Sequence, residues 1–128
     1  MYWSKEGGSY DLFSALSDGT GKVRLTTDAA TDETQAEISP DGTKIVYVSR
    51  PKTSSDQTIK VMNIDGTNQI ALTGSDTGNA SPSWSPDGTK IIFQADNTTD
   101  LFSDTGIWVV NADGTGLVRI SKNTKKDY

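Results

Sequence analysis

Five residues, Ser39-Pro40-Asp41-Gly42-Thr43, recur identical and in order as Ser85-Pro86-Asp87-Gly88-Thr89, so the chain is a tandem array. A second landmark, Asp18-Gly19-Thr20, returns as Asp65-Gly66-Thr67 and as Asp113-Gly114-Thr115, at intervals of 47 and 48 residues. Each of these turns leads into a short strand-like ending: Val23-Arg24-Leu25-Thr26, Ile70-Ala71-Leu72-Thr73 and Val118-Arg119-Ile120-Ser121. A period in the forties, made of short strands and Asp-Gly turns, is that of propeller blades. Helical solenoid units would show an apolar rhythm of about 3.6 residues, which no segment here carries.

The fullest unit reads as one blade of four antiparallel strands. Ser83-Trp84-Ser85 is the inner strand and Pro86-Asp87-Gly88-Thr89 the turn, with further strands over 90–95, 107–111 and 117–121. The middle unit repeats the plan with strands over 37–39, 44–49, 59–63 and 69–73. The first unit offers 1–3, 12–15 and 22–26, with no inner strand before them. The expected organisation is therefore an incomplete first blade over 1–26, a second over 33–73, a third over 80–121 and a tail over 122–128. This all-β arrangement amounts to about two and three-quarter blades, whereas closed propellers use about 4–8. Two copies would complete a six-bladed ring as a homodimer, with the tail of one supplying part of the inner strand missing beside Met1-Tyr2-Trp3 of the other and Tyr128 as its anchor. The competing expectation is a piece of a longer propeller, and a third is an engineered or trimmed repeat fragment with no ligand.

Composition removes several classes of function. The net charge is −5 and the basic residues are scattered apart from Lys122, Lys125 and Lys126, so no stripe exists to neutralise a phosphate backbone and no nucleic-acid partner is expected. No apolar run approaches the roughly 20 residues of a spanning helix, and membrane insertion is not expected. Cysteine and histidine are both absent. That excludes disulfides, thiolate or histidine metal sites and the Ser-His-Asp arrangement. The start of the chain shows no basic segment followed by an apolar one, so an export signal is expected to have been removed or never to have been present.

The pattern Trp84-Ser85-Pro86-Asp87-Gly88-Thr89-Lys90-Ile91-Ile92-Phe93, followed by Ile107-Trp108-Val109-Val110-Asn111-Ala112-Asp113-Gly114 and Val118-Arg119-Ile120-Ser121, resembles the TolB-type propeller repeat. Ile38 departs from it, standing where the repeat prefers tryptophan. The resemblance implies a six-bladed architecture and a non-catalytic module for protein binding or scaffolding, acting through rim loops and channel mouth in the periplasm or outside the cell. Family members also include propellers that accompany serine peptidases. The alternative expectation is therefore a propeller fragment of a hydrolase, either a peptidase gating domain or part of a carbohydrate-active enzyme. A peptidase partner domain would carry a Gly-x-Ser-x-Gly elbow, which this chain lacks.

Asn111, Asp113 and Gly114 fit part of a calcium-loop register, but Val109 and Ile120 fall at its first and last positions and offer no side-chain oxygen; Asn63, Asp65 and Gly66 fail likewise with Val61 and Leu72. Asp41 and Asp87 are expected to cap their own turns, and Tyr47, Phe93 and Trp108 to fill the core. No spacing selects a pair of carboxylates for hydrolysis, so neither catalytic residues, metal nor cofactor are expected. The inner strands would turn some of Glu33, Gln35, Glu37, Ser81 and Ser83 toward a central channel, where a ring of glutamates could hold a cation or a basic peptide terminus. The connections over 5–11, 50–58 and 96–106 differ between units, which is how propellers acquire partners. The last of them offers Asp96, Asn97, Asp100, Phe102 and Asp104. A protein partner or self-association is the expected use.

Overall fold

The computed structural model describes residues 1–6, 8–74, 79–97 and 104–120. Among them eleven strands and no helix build three antiparallel sheets. The first sheet runs β1 (Tyr2–Glu6), β2 (Ser9–Ser14), β3 (Val23–Arg24). The second runs β4 (Thr31–Ile38), β5 (Lys44–Pro51), β6 (Thr58–Asn63), β7 (Ile70–Ala71). The third runs β8 (Ala80–Trp84), β9 (Lys90–Asn97), β10 (Asp104–Asn111), β11 (Val118–Arg119). Every strand pairs with its neighbour in sequence, the meander of a propeller blade.

The repeated pentapeptide folds this way because it closes its own hydrogen bonds. Gly42 N–H donates to the Ser39 carbonyl at 2.9 Å, and Asp41 Oδ1 accepts from Ser39 Oγ at 2.7 Å, Thr43 N at 3.0 Å and Thr43 Oγ1 at 2.7 Å. Proline suits the second turn position, and glycine supplies the positive φ that ends the turn, 74° at Gly42 and 72° at Gly88. Asp87 repeats the set with Ser85 and Thr89. The second turn works similarly: Gly66 N–H donates to the Asn63 carbonyl at 2.9 Å while Asp65 Oδ1 holds Thr67, and Asp113 holds Thr115 in the same way. Lys44 Nζ reaches Asn63 Oδ1 at 2.9 Å and Lys90 Nζ reaches Asn111 Oδ1 at 2.6 Å, tying the two turns of each full blade together.

The blades stack face to face. In β5 the four consecutive residues Ile45, Val46, Tyr47 and Val48 are all buried, because alternate side chains point to opposite faces and both faces are covered. Ile45, Tyr47 and Met62 meet Leu12 and Leu25 of the first blade. Val46, Val48, Ile59, Val61 and Leu72 meet Trp84, Ile91, Phe93 and Val110 of the third. Trp108 packs against this second cluster. Each such side chain contributes about 1.5–3 kcal/mol relative to exposure. Close packing extends to the turns, since a Cβ on Gly66 would lie 2.9 Å from the Leu25 carbonyl oxygen of the preceding blade.

Several strand bounds differ from the sequence reading. The inner strands are longer than 37–39 and 83–85, and Ser39 and Ser85 belong to the turns. The connections expected over 5–11, 50–58 and 96–106 are taken up in part by strand. The first contracts to a hairpin between Glu6 and Ser9, the second lies between Pro51 and Thr58, and the third between Asn97 and Asp104. The reason is the ladder itself: once a hairpin is in register, continuing it satisfies further backbone groups whatever the side-chain polarity. The tail over 122–128, with Tyr128, lies outside the described residues. No helix among the described residues is long and apolar enough to cross a membrane.

Candidate functional site

The inner strands β4 and β8 do not alternate evenly. Between Thr34 and Glu37 on β4, and between Ala80 and Ser83 on β8, the register against the partner strand shifts by one residue. Gln35 and Ser81, 46 residues apart, sit in these bulges with the same φ of 54°. A non-glycine residue there costs about 1–2 kcal/mol, so surrounding contacts must hold it. The contact is visible across the seam between blades, where Ser81 N–H donates to Gln35 Oε1 at 2.7 Å. Two residues on, Glu37 Oε1 accepts from Ser83 Oγ at 3.3 Å and Trp84 N–H at 3.4 Å, and the Trp84 indole N–H donates to the Glu37 carbonyl at 3.0 Å. Four of the five candidate channel residues, Gln35, Glu37, Ser81 and Ser83, are thus brought together as a latch between the second and third blades.

Glu33 requires correction. It is buried between the first and second blades, with Oε1 accepting from Ser49 Oγ at 3.1 Å and from Thr31 Oγ1, because the bulge at Gln35 breaks the alternation that would have aligned it with Glu37. Its Oε2 has no hydrogen-bond partner among the described residues, nor has the buried Tyr47 hydroxyl. Asp11, also buried, accepts from Ser9 Oγ at 3.1 Å and Thr26 Oγ1 at 3.2 Å and pairs with Arg24. Burial raises the Glu33 pKa above the ordinary carboxylate value against the pull of the Thr31 and Ser49 hydroxyls, and the Asp11 charge adds to the rise. Burial likewise raises Tyr47, with the Glu33 charge contributing. At the equivalent place in the next seam stands Asn79, whose amide donates to the Gln57 carbonyl at 2.8 Å and the Gly74 carbonyl at 3.1 Å.

The turn aspartates act on their own backbone. The hydroxyl of Ser39, then Thr43, draws the Asp41 pKa down to about 2, and the Thr89 amide, then the Ser85 hydroxyl, draws Asp87 down to about 2. Asp18, Asp65 and Asp113 are lowered first by the Thr20, Thr67 and Thr115 hydroxyls. Such oxygens are already occupied by donors. Among the described residues no group of three or more acidic side chains is placed to hold a metal ion.

On the rim, Asp96 and Asn97 close β9 and Asp104 opens β10, with Asn97 opposite Asp104 and Asp96 opposite Thr105. Asp100 and Phe102 lie outside the described residues. Sequence reading missed the Asp11 and Glu33 cluster and the left-handed pair Gln35 and Ser81. The spacing of 46 residues that links the pentapeptides also aligns Gln35 with Ser81 and Glu37 with Ser83, and was the signal available for the latch.

Three stacked meander sheets with latched inner strands define an incomplete β-propeller. The TolB beta propeller domain model matches residues 1–127, and the chain belongs to that family. It is similar in fold to a TolB-type protein from Agrobacterium tumefaciens at 21% identity and TM-score 0.73, over 91% of this chain and 43% of that one. TolB from Acinetobacter baumannii matches at 22% identity and TM-score 0.69, over 88% and 26%. An oligogalacturonate lyase from Vibrio parahaemolyticus matches at 17% identity and TM-score 0.66, over 88% and 30%. The chain therefore spans less than half the length of each of these solved structures.

Proposed function

We propose that the chain is a non-catalytic module for protein binding or scaffolding, acting through its rim connections and the inner-strand side of its blades, in the periplasm or outside the cell. The observation that carries this reading is the contrast between constant and variable parts. The pentapeptide and Asp-Gly-Thr residues hold turns by the same bonds in successive units, whereas the connection between second and third strands changes from residues 7–8 to 52–57 to 98–103. Rigid sheets carrying unlike loops on one rim suit recognition of a partner surface. Membership of the TolB propeller family supports the same reading.

The test places a photo-crosslinking amino acid at Thr53 on the rim, at Glu37 on the inner strand, and at the outer-strand residue Val118 as a control. Each variant is exposed to envelope and secreted protein fractions. One protein crosslinked from Thr53 or Glu37 and absent from Val118 is the expected result. Equal capture at all three positions contradicts the reading, as does turnover of oligogalacturonate or a proline-containing peptide by the purified chain.

A further inference from the structure

Asp-Gly is a sequence prone to spontaneous rearrangement, because glycine places no side chain in the way when its nitrogen attacks the preceding carboxyl. The chain contains it five times, at Asp18, Asp41, Asp65, Asp87 and Asp113, and each time the next residue is threonine. The five turns are of two kinds. Asp41 and Asp87 follow a proline between the first two strands of a blade, whereas Asp18, Asp65 and Asp113 lie between the last two. Threonine is the residue that both kinds share beyond Asp-Gly, so it meets a need common to both.

The rearrangement has fixed requirements. The glycine nitrogen gives up its proton and bonds to the aspartate Cγ, and the carboxyl hydroxyl leaves with that proton as water, closing a five-membered succinimide. Water then adds to one of the two imide carbonyls. Opening on the main-chain side leaves isoaspartate, of unchanged mass, with the backbone routed through the side-chain carbon. The carboxyl must therefore be protonated, its side chain free to turn, and the glycine N–H free to lose its hydrogen.

Every turn opposes all three. The glycine N–H donates to the carbonyl three residues back, from Gly19 to Leu16, Gly42 to Ser39, Gly66 to Asn63, Gly88 to Ser85 and Gly114 to Asn111, each at 2.9 Å. The aspartate Oδ1 is gripped by the threonine, whose hydroxyl donates at 2.6, 2.7, 2.5, 2.8 and 2.6 Å in chain order and whose amide donates at 2.9–3.0 Å. Hydrogen bonds are the leading cause that lowers the pKa of all five aspartates and keeps them ionised. The turn conformation itself rests on the positive φ of glycine and on main-chain bonds, so the hydroxyl is an added donor, supplied five times.

We infer that the threonine hydroxyl locks each Asp-Gly turn against isoaspartate formation, and that Asp18, Asp41, Asp65, Asp87 and Asp113 become modification sites when it is removed. The lock has most at stake at Asp65. Isoaspartate adds a methylene to the main chain, and the turn has no room for it, since even a Cβ on Gly66 would lie 2.9 Å from the Leu25 carbonyl oxygen of the first blade. Conversion there pushes the first and second blades apart. A Cβ on Gly42, by contrast, meets nothing within 4 Å.

The test incubates the folded chain at neutral pH over weeks, digests it, and fragments the peptides by electron transfer, which tells isoaspartate from aspartate at each site. All five sites are expected to convert about tenfold or more slowly than in the same chain unfolded in urea. In Thr67→Val, which keeps the shape of threonine, Asp65 alone is expected to convert about tenfold faster than in wild type, the factor that one hydrogen bond to a charged group represents. Thr67→Ser restores the hydroxyl and the wild-type rate. Trp84→Phe weakens the latch, leaves the turn intact and should leave Asp65 unchanged. Equal rates in the folded and unfolded chain overturn the inference, as does a Thr67→Val chain that converts like wild type. Acceleration at all five sites in Thr67→Val, or at Asp65 in Trp84→Phe, also overturns it, because general loosening rather than the hydroxyl would then set the rate.

Discussion

Replacing Glu33 by glutamine tests how the first seam tolerates its buried acid. Glu33 keeps Oε1 against Ser49 and Thr31 and leaves Oε2 bare, with Asp11 as a like-charged neighbour. A buried charged acceptor without a partner costs about 1–3 kcal/mol or more, whereas glutamine preserves the Oε1 acceptor and removes the charge. Glu33→Gln is therefore expected to stabilise the fold by about 1 kcal/mol at pH 7, or roughly 3–5 °C in Tm for a domain of this size. The sign with pH follows from the raised pKa of the folded state. Stability from the neutral acid is fully present below the unfolded value of 4.5 and is lost as pH rises through the folded value. Measured from about pH 5 to pH 8, the advantage of the variant should be largest once pH has passed the folded value and should not shrink as pH rises. Thermal unfolding followed by circular dichroism across that range, above the pI of about 4.5, measures it. A variant less stable than wild type at pH 7, or an advantage that shrinks as pH rises, refutes the reasoning.

Phe93→Ala empties the centre of the second seam and is expected to cost about 3–5 kcal/mol in urea unfolding. Gly42→Ala forces a Cβ onto a φ of 74° with open space around it and should cost about 1–2 kcal/mol; Gly66→Ala should cost more in the same assay, because its Cβ also meets the Leu25 carbonyl oxygen at 2.9 Å. Trp84→Phe removes the indole donor to the Glu37 carbonyl and is expected to lower stability by about 1 kcal/mol. Carboxylate NMR should find Asp41 and Asp87 titrating near 2, so that their stabilisation is present above the unfolded value of 3.8 and fades as pH falls through 2.

What was legible in the sequence was what repeats locally. The Pro-Asp-Gly turn carries its conformation in five adjacent residues, and the unbroken run Ile45-Val46-Tyr47-Val48 announces a strand covered on both faces. Strand ends were less legible, because Asp96, Asn97 and Asp104 are polar residues that carry no apolar strand signal, yet their backbone continues the ladder. Glu33 was misplaced for a different reason. Alternation predicts a facing direction only while the ladder is regular, and a bulge with non-glycine residues at positive φ leaves no composition signal at Gln35 or Ser81. The latch depends on side chains 46 residues apart whose meeting is decided by how blades stack. Ile92 shows the converse, an apolar residue with the strand signature of Val46 and yet an open face.

Hydroxyl-radical footprinting read by mass spectrometry, comparing the equivalent residues Leu25, Leu72 and Ile120 over a dilution series, tests the stacking of blades most directly. The account predicts that Leu25 and Leu72 stay protected at every concentration, while the exposed Ile120 labels rapidly. Labelling of Leu25 and Leu72 at the rate of Ile120 would contradict it, because the seams that define the array would then not exist in solution.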